Sequence, residues 1–161
     1  MSDTQDKQPI QRKDNDSGRP NPGARRKARH YAIQALYQWE MAGASLSKIE
    51  AEFLADNDMT HVDTEYFRDI LRGVPRELTQ LDEMLNPCLS RGMNEVTPVE
   101  KAILRLAAYE LVHRIDVPYR VVINESVELS KKFGATESHK FINGALDKLA
   151  QQVRMVEIKN K

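Results

Sequence analysis

Thr97-Pro-Val-Glu-Lys-Ala-Ile-Leu-Arg-Leu-Ala-Ala-Tyr-Glu-Leu-Val-His113 decides the fold. Thr97 can accept from a free backbone N–H, Pro98 suits the first helical position because it has no N–H to lose, and Glu100 can reach back to complete a capping box. Beyond that start the apolar residues make two stripes: Val99, Ala102, Ile103, Leu106 and Tyr109 on one side, Leu104, Ala107, Ala108 and Leu111 on the other. A surface helix shows one such stripe. This one predicts a central helix with others packed around it, and only a narrow strip through Glu100, Lys101 and Arg105 is expected to be open to solvent or a partner.

Outward from that post, each helix has its own start and stop. Ala24 to Ala42 carries a stripe of Ala28, Ala32, Ala35, Leu36 and Trp39 and stops at Gly43. Ser47 with Glu50 opens a second helix ending near Asn57, and Asp63 a third through Tyr66, Phe67, Ile70, Leu71, Val74, Leu78, Leu81 and Leu85. Pro75 lies inside that run, so a kink or break is expected near Gly73-Val74-Pro75. After a short ambiguous piece, Cys88 to Val96, comes the central helix. Asp116-Val117-Pro118 then reads as a turn and restart, and Tyr119 to Phe133 keeps helical spacing, with Glu125, Glu128, Lys131 and Lys132 on the far side. Gly134 caps it and Thr136 opens the last helix, whose buried face is expected to be Ile142, Ala145, Leu146, Leu149, Val153 and Val156. No run alternates with period two as strands do. The fold class is all-α, about seven helices by these start and stop signals.

Residues 1–23 hold Ile10 as the only large aliphatic side chain after Met1, too little to offset the entropy of ordering, and read as a disordered tail. The helical domain is expected over 24–157, with 158–161 a second, short tail. One cysteine, Cys88, rules out an intrachain disulfide and a Cys-based zinc site, and the N-terminus lacks the pattern of a signal peptide, so a cytoplasmic protein is expected. The formal net charge is +0, yet Arg25, Arg26, Lys27 and Arg29 are opposed between Ala24 and Glu40 by Glu40 alone. One basic patch in a neutral chain suggests an anionic partner, and phosphate is the commonest.

On that first helix Arg26, His30, Ile33 and Tyr37 fall in a row beside the apolar stripe. Cations and a flat ring on one face suit single-stranded nucleic acid, the cations for phosphates and the ring for a splayed base. A merely solvated basic helix start, with Tyr37 tucked against a neighbour, fits the same residues. Lys140 beside Phe141 makes a second pairing of charge and ring, and Phe141 fits rim packing equally well. Catalysis finds little support: His30, His61, His113 and His139 lack metal-ligand spacing, and neither a Gly-rich phosphate loop nor a nucleophile elbow is present. Glu110 and His113, one turn apart, read as a structural contact at the end of a helix. Neither an enzyme nor a cofactor is expected.

Taken together, several blocks resemble the NusB family of transcription antitermination factors: Ala24-Arg-Arg-Lys-Ala-Arg29 running into Ala35-Leu-Tyr-Gln-Trp39; Tyr66-Phe-Arg-Asp69; Val99 to Arg105 with Tyr109-Glu-Leu111; Asp116-Val-Pro-Tyr119 with Ile123-Asn-Glu125; and Phe133-Gly-Ala135 with Ser138-His-Lys-Phe141, Asn143-Gly144 and Leu146-Asp-Lys148. The resemblance covers Ala24 to the last helix. It implies two small helical subdomains that bind the boxA element of nascent ribosomal RNA leaders, and as partner NusE, the small-subunit ribosomal protein that works with the family on transcribing RNA polymerase. Carried over by matching positions, Arg25, Arg26, Lys27, Arg29, Tyr37, Lys140 and Phe141 would meet RNA, Glu137 would border that surface, and Glu100 and Arg105 would meet NusE. The tail is extra to the family pattern, and Pro75 is unexpected in it. A rival reading, the helical RNA-binding module of an RNA methyltransferase, lacks the strand and Gly-rich loop of a methyl-donor site. A protein-interaction module without an RNA role leaves Arg26, Tyr37 and Phe141 without purpose.

Overall fold

The computed structural model describes residues 21–160, so all of the expected tail before residue 21 lies outside the described residues. Among the described residues there are eight α-helices and no strand: α1 (Pro22–Ala42), α2 (Leu46–Asp56), α3 (Thr64–Arg76), α4 (Leu78–Leu85), α5 (Pro98–His113), α6 (Tyr119–Phe133), α7 (Ser138–Val153) and α8 (Met155–Lys159). Two 3₁₀ turns, Asn86–Cys88 and Met93–Glu95, fill the piece between α4 and α5.

The central post is α5, started by the expected capping box: the Glu100 N–H donates to Thr97 Oγ1 (3.2 Å) and the Thr97 N–H to Glu100 Oε1 (3.0 Å). Both of its stripes are buried except for Val99, which is half-buried, and it packs against α1, α3, α4, α6 and α7. Helices α1 to α3 cluster on one side and α6 to α7 on the other, so the two helical subdomains share α5 as a common wall.

The charged strip expected on α5 is a correction. Glu100 is 2% exposed, Arg105 8%, and only Lys101 stays half-buried. Each buried charge has partners far off in sequence, as burial requires. Glu100 accepts from Ser138 Oγ (2.7 Å) at the start of α7 and from Arg91. Arg105 donates to both oxygens of Asp82 (2.9 and 2.8 Å) and to Glu40 (3.1 Å). Glu110, also fully buried, accepts from Arg29 and from the Tyr66 hydroxyl.

Element ends differ in five places. Helix α2 starts at Leu46, capped by Ser45 and not by Ser47, because the Lys48 N–H donates to Ser45 Oγ (3.1 Å), and α7 starts at Ser138 with no cap from Thr136. The first helix starts at Pro22 rather than Ala24, because the Asn21 side chain accepts from the Ala24 N–H (3.1 Å) and proline fits the first turn. The break expected around Pro75 falls just after it: α3 runs to Arg76, Glu77 leaves helical geometry, and α4 restarts at Leu78. Gly73 in that segment lies under Tyr109, where an added Cβ would come within 2.3 Å of the ring. The last helix stops at Val153, and α8 carries the chain on to Lys159, past the expected end at 157. Val156 is consequently exposed, and Ile158 packs against the core instead. The reason is Arg154, buried and donating to the carbonyls of Leu111 (2.8 Å), Glu110 (3.3 Å) and Arg114 (3.1 Å), which satisfies the free end of α5.

Candidate nucleic-acid interface

Three of the four basic residues at the start of α1 are already paired. Arg29 is 3% exposed, with its guanidinium on Glu110 (3.1, 2.9 and 2.8 Å). Burial opposes its charge, but Glu110 more than offsets this and raises its pKa further. Arg25 lies over the Tyr66 ring (4.2 Å) and donates to Asp116 (2.9 Å). Arg26, whose side chain is 64% exposed, grips Glu125. Lys27 is exposed and makes no ion pair among the described residues. The expectation that all four meet RNA directly is therefore corrected for Arg29, which is internal, and narrowed for Arg25. Open cationic surface at this end comes from Arg26 and Lys27.

Further along α1 the row read from sequence divides. Ile33 is buried and belongs to the core, not beside it. His30 is half-buried with its ring 5.0 Å from that of Phe133, and burial, then Lys132, holds its pKa below the usual histidine value. Tyr37 is 40% exposed on the wall of an open cleft of about 560 Å³, with Met41 beside it and Val99 and Phe133 opposite. An apolar cleft flanked by two rings can take a flat, splayed base.

The second pairing of charge and ring sits at the start of α7. Phe141 is half-buried, with the Arg91 guanidinium stacked 3.8 Å from its centroid. Arg91 in turn donates to both Glu100 oxygens (3.3 Å each) and to the Glu95 carbonyl (3.1 Å). Lys140 and Glu137 are exposed and paired at 3.0 Å. Burial works against the charge of Glu100, yet Ser138, the Thr97 N–H and Arg91 hold its pKa below the usual carboxylate value.

The first turn of α5 joins the two halves. Val99 borders the cleft under Tyr37, while its neighbour Glu100 fixes Ser138 and, through Arg91, one face of Phe141. Sequence reasoning missed Phe133, Lys131, Lys132 and Arg91. Lys131 and Lys132 were placed on the far side of α6, but that side faces the groove of α1 with Arg26 and His30. A basic last turn ending in an aromatic was a usable signal; for Arg91, within the ambiguous piece, there was none.

Comparison with known proteins gives the family. The family described as NusB matches residues 26–151. A transcription antitermination protein NusB of Pseudomonas fluorescens (strain Pf0-1) is 55% identical over 161 residues, 99% of this chain and 97% of that protein. The Alcanivorax borkumensis protein of the same name is 60% identical over 136 residues, 84% of this chain and 91% of that protein. Among solved structures, T. maritima NusB superposes with a TM-score of 0.70 at 29% identity, covering 83% of this chain and 96% of that one. A structure of antitermination factors NusB and NusE in complex with double-stranded RNA superposes at 0.68 with 25% identity, covering 78% and 95%. With eight helices among the described residues, five of the others packed on α5, and its sequence matched almost end to end, this chain belongs to the NusB family of transcription antitermination proteins.

Proposed function

We propose that the protein is a non-catalytic antitermination factor that binds the boxA element of nascent ribosomal RNA leaders together with NusE and keeps RNA polymerase processive. The observation that carries this is a set of cations and rings on three neighbouring helices: Arg26 shares the α1–α6 groove with Lys131 and Lys132, Tyr37 and Phe133 line the cleft that reaches Val99 of α5, and Lys140 and Phe141 lie in the first turn of α7. Cations take phosphates and rings take unstacked bases. Arg25 and Arg29 serve that surface by holding α1 against Asp116 of the α5–α6 turn and Glu110 of α5, and Glu137 borders it beside Lys140. The relative solved with NusE and RNA supports both partners. Work on nascent transcripts places the protein in the bacterial cytoplasm, and no helix among the described residues is long and apolar enough to cross a membrane.

For NusE, the buried state of Glu100 and Arg105 gives them an indirect part. Arg105 fixes Glu40 and Asp82, whose side chains keep about a third of their exposure at the rim between α1 and α4 and are the groups a partner meets. An RNA site adjoining a protein site couples the two binding free energies reciprocally. Titration of labelled boxA RNA and a scrambled RNA of equal length, with and without NusE, tests the reading. Preference for boxA and tighter binding with NusE are expected; equal affinity for both RNAs, or no change on adding NusE, overturns it.

A further inference from the structure

The most open arginine of α1 is occupied. Arg26 donates from Nε to both oxygens of Glu125 (3.1 and 3.2 Å) and from Nη2 to Oε2 (3.1 Å). This two-pronged grip on a pair of oxygens is the one a guanidinium makes with a phosphate. The two partners are unequal. Only 15% of the Glu125 side chain is exposed, against 64% for Arg26, so the carboxylate is anchored on α6 and the guanidinium reaches over to it from open surface. Both line one groove of about 350 Å³ between α1 and α6, with His30, Lys131 and Lys132 along its length.

We infer that Glu125 sits in the phosphate seat of Arg26 in the free protein, and that RNA must displace it, so Glu125 sets the affinity of the interface while touching no base. The inference rests on the reading of Arg26 as a phosphate contact. Its sign is opposite to that of the plain alternative: a carboxylate that only steadied Arg26 would assist RNA binding, whereas one that fills its fork, and lies where a phosphate would come, opposes it. Of the neighbouring acids, Asp116 holds Arg25 and Arg114, Glu110 holds Arg29, and Glu128, one turn further along α6 in the same groove, lies against Lys131 (3.7 Å).

Glu125→Gln keeps the shape and removes the charge. Labelled boxA RNA and a scrambled RNA are titrated against the full chain over a salt series. Glu125→Gln is expected to bind both about two- to tenfold more tightly, as suits the loss of one exposed ion pair and one repulsion. The factor should be the same for both RNAs, because phosphate contacts carry no sequence information, and the slope of log K against log salt should steepen by about 0.7. Glu125→Asp, which withdraws the carboxylate by one methylene and keeps its charge on α6, should tighten binding by less, and gives the sign independently should the glutamine variant melt early. In an Arg26→Ala background the gain from Glu125→Gln should fall away. Unchanged or weaker binding by both Glu125 variants, with Arg26→Ala weakening binding as a phosphate contact should, overturns this inference alone. Arg26→Ala with unaltered affinity and salt slope overturns the inference and the phosphate reading of Arg26 together.

Discussion

Reversing the charge of Glu100 should unfold the protein before it disturbs any partner. The carboxylate is 2% exposed and accepts from the Thr97 N–H (3.0 Å), Ser138 Oγ (2.7 Å) and Arg91 (3.3 Å to each oxygen). A lysine there leaves two donors without an acceptor and sets an ammonium against the Arg91 guanidinium. Breaking a buried pair in this way costs about 3–5 kcal/mol, and at about 2–4 °C per kcal/mol for a chain of this size the melting temperature should fall by roughly 6–20 °C. Glu100→Gln, which keeps one oxygen for the capping box, should lose less, about 1–3 kcal/mol. The pH dependence has a definite sign. The pKa of Glu100 is held below its unfolded value, so its contribution is present above the unfolded value and is lost as pH falls through the folded one. The stability gap between parent and Glu100→Gln should therefore be full near pH 7 and close progressively below about pH 4.3. Thermal melts of the three proteins from pH 7 down to pH 3 measure it. A Glu100→Lys protein that melts like the parent but fails to bind NusE would refute the reasoning, since Glu100 would then have to stand outside the core.

Arg29→Ala should leave Glu110 buried without its ion-pair partner and destabilise the fold by about 3–5 kcal/mol, read by urea unfolding. The folded fraction should still show the full salt slope in RNA binding, and a slope reduced by one contact would return Arg29 to the RNA surface. Tyr37→Ala and Phe141→Ala should weaken RNA binding by about one to two orders of magnitude, from roughly 1–3 kcal/mol of stacking per base, with the salt slope unchanged; parent-like affinity in well-folded variants would make both rings rim packing. Lys27→Ala should lower affinity alike for all RNAs and reduce the salt slope by about 0.7, and an unchanged slope would remove the start of α1 from the phosphate path.

What could be read from the sequence was set by the range of the interaction behind it. Helix α5 was legible because its capping box spans three residues and its two stripes repeat every turn. The turn at Asp116-Val-Pro118 and the glycine stop at Gly43, where φ is +67°, are equally local. The charged strip was misread because the partners of Arg105 lie 23 and 65 residues away, and that of Arg29 lies 81 away. A periodic pattern marks an isolated charge as solvent-facing and carries no sign of the acid that will come to bury it. The end of α7 failed for the same reason: Arg154 breaks an otherwise continuous stripe in order to reach carbonyls of α5 from 40 to 44 residues upstream. Tyr37 is exposed and Phe141 half-buried, as rings at the edge of an apolar stripe should be, but the seat of Phe141 under Arg91, which is itself held by Glu100, is a contact that no spacing rule contains.

This long-range pairing limits what a basic stretch can add to RNA affinity. Counterion release makes each unpaired cation a contributor to RNA affinity. Along the surface from α1 to α7, Arg25, Arg26 and Lys140 each hold a carboxylate, and Arg29 is internal. A cation that must leave an acid to reach a phosphate adds only the difference between the two. A surface paired in this way would attract RNA less by charge alone and rely more on stacking at the rings, one of which, Phe141, is held through Arg91 by Glu100 in the first turn of α5. Because Glu100 in that turn holds Arg91 over Phe141, and Arg105 two turns later holds Glu40 and Asp82 at the partner rim, one rigid helix carries the support of both surfaces. A partner that ordered the rim would stabilise the same helix that positions the ring, which would be a physical route for the coupling proposed between NusE and RNA.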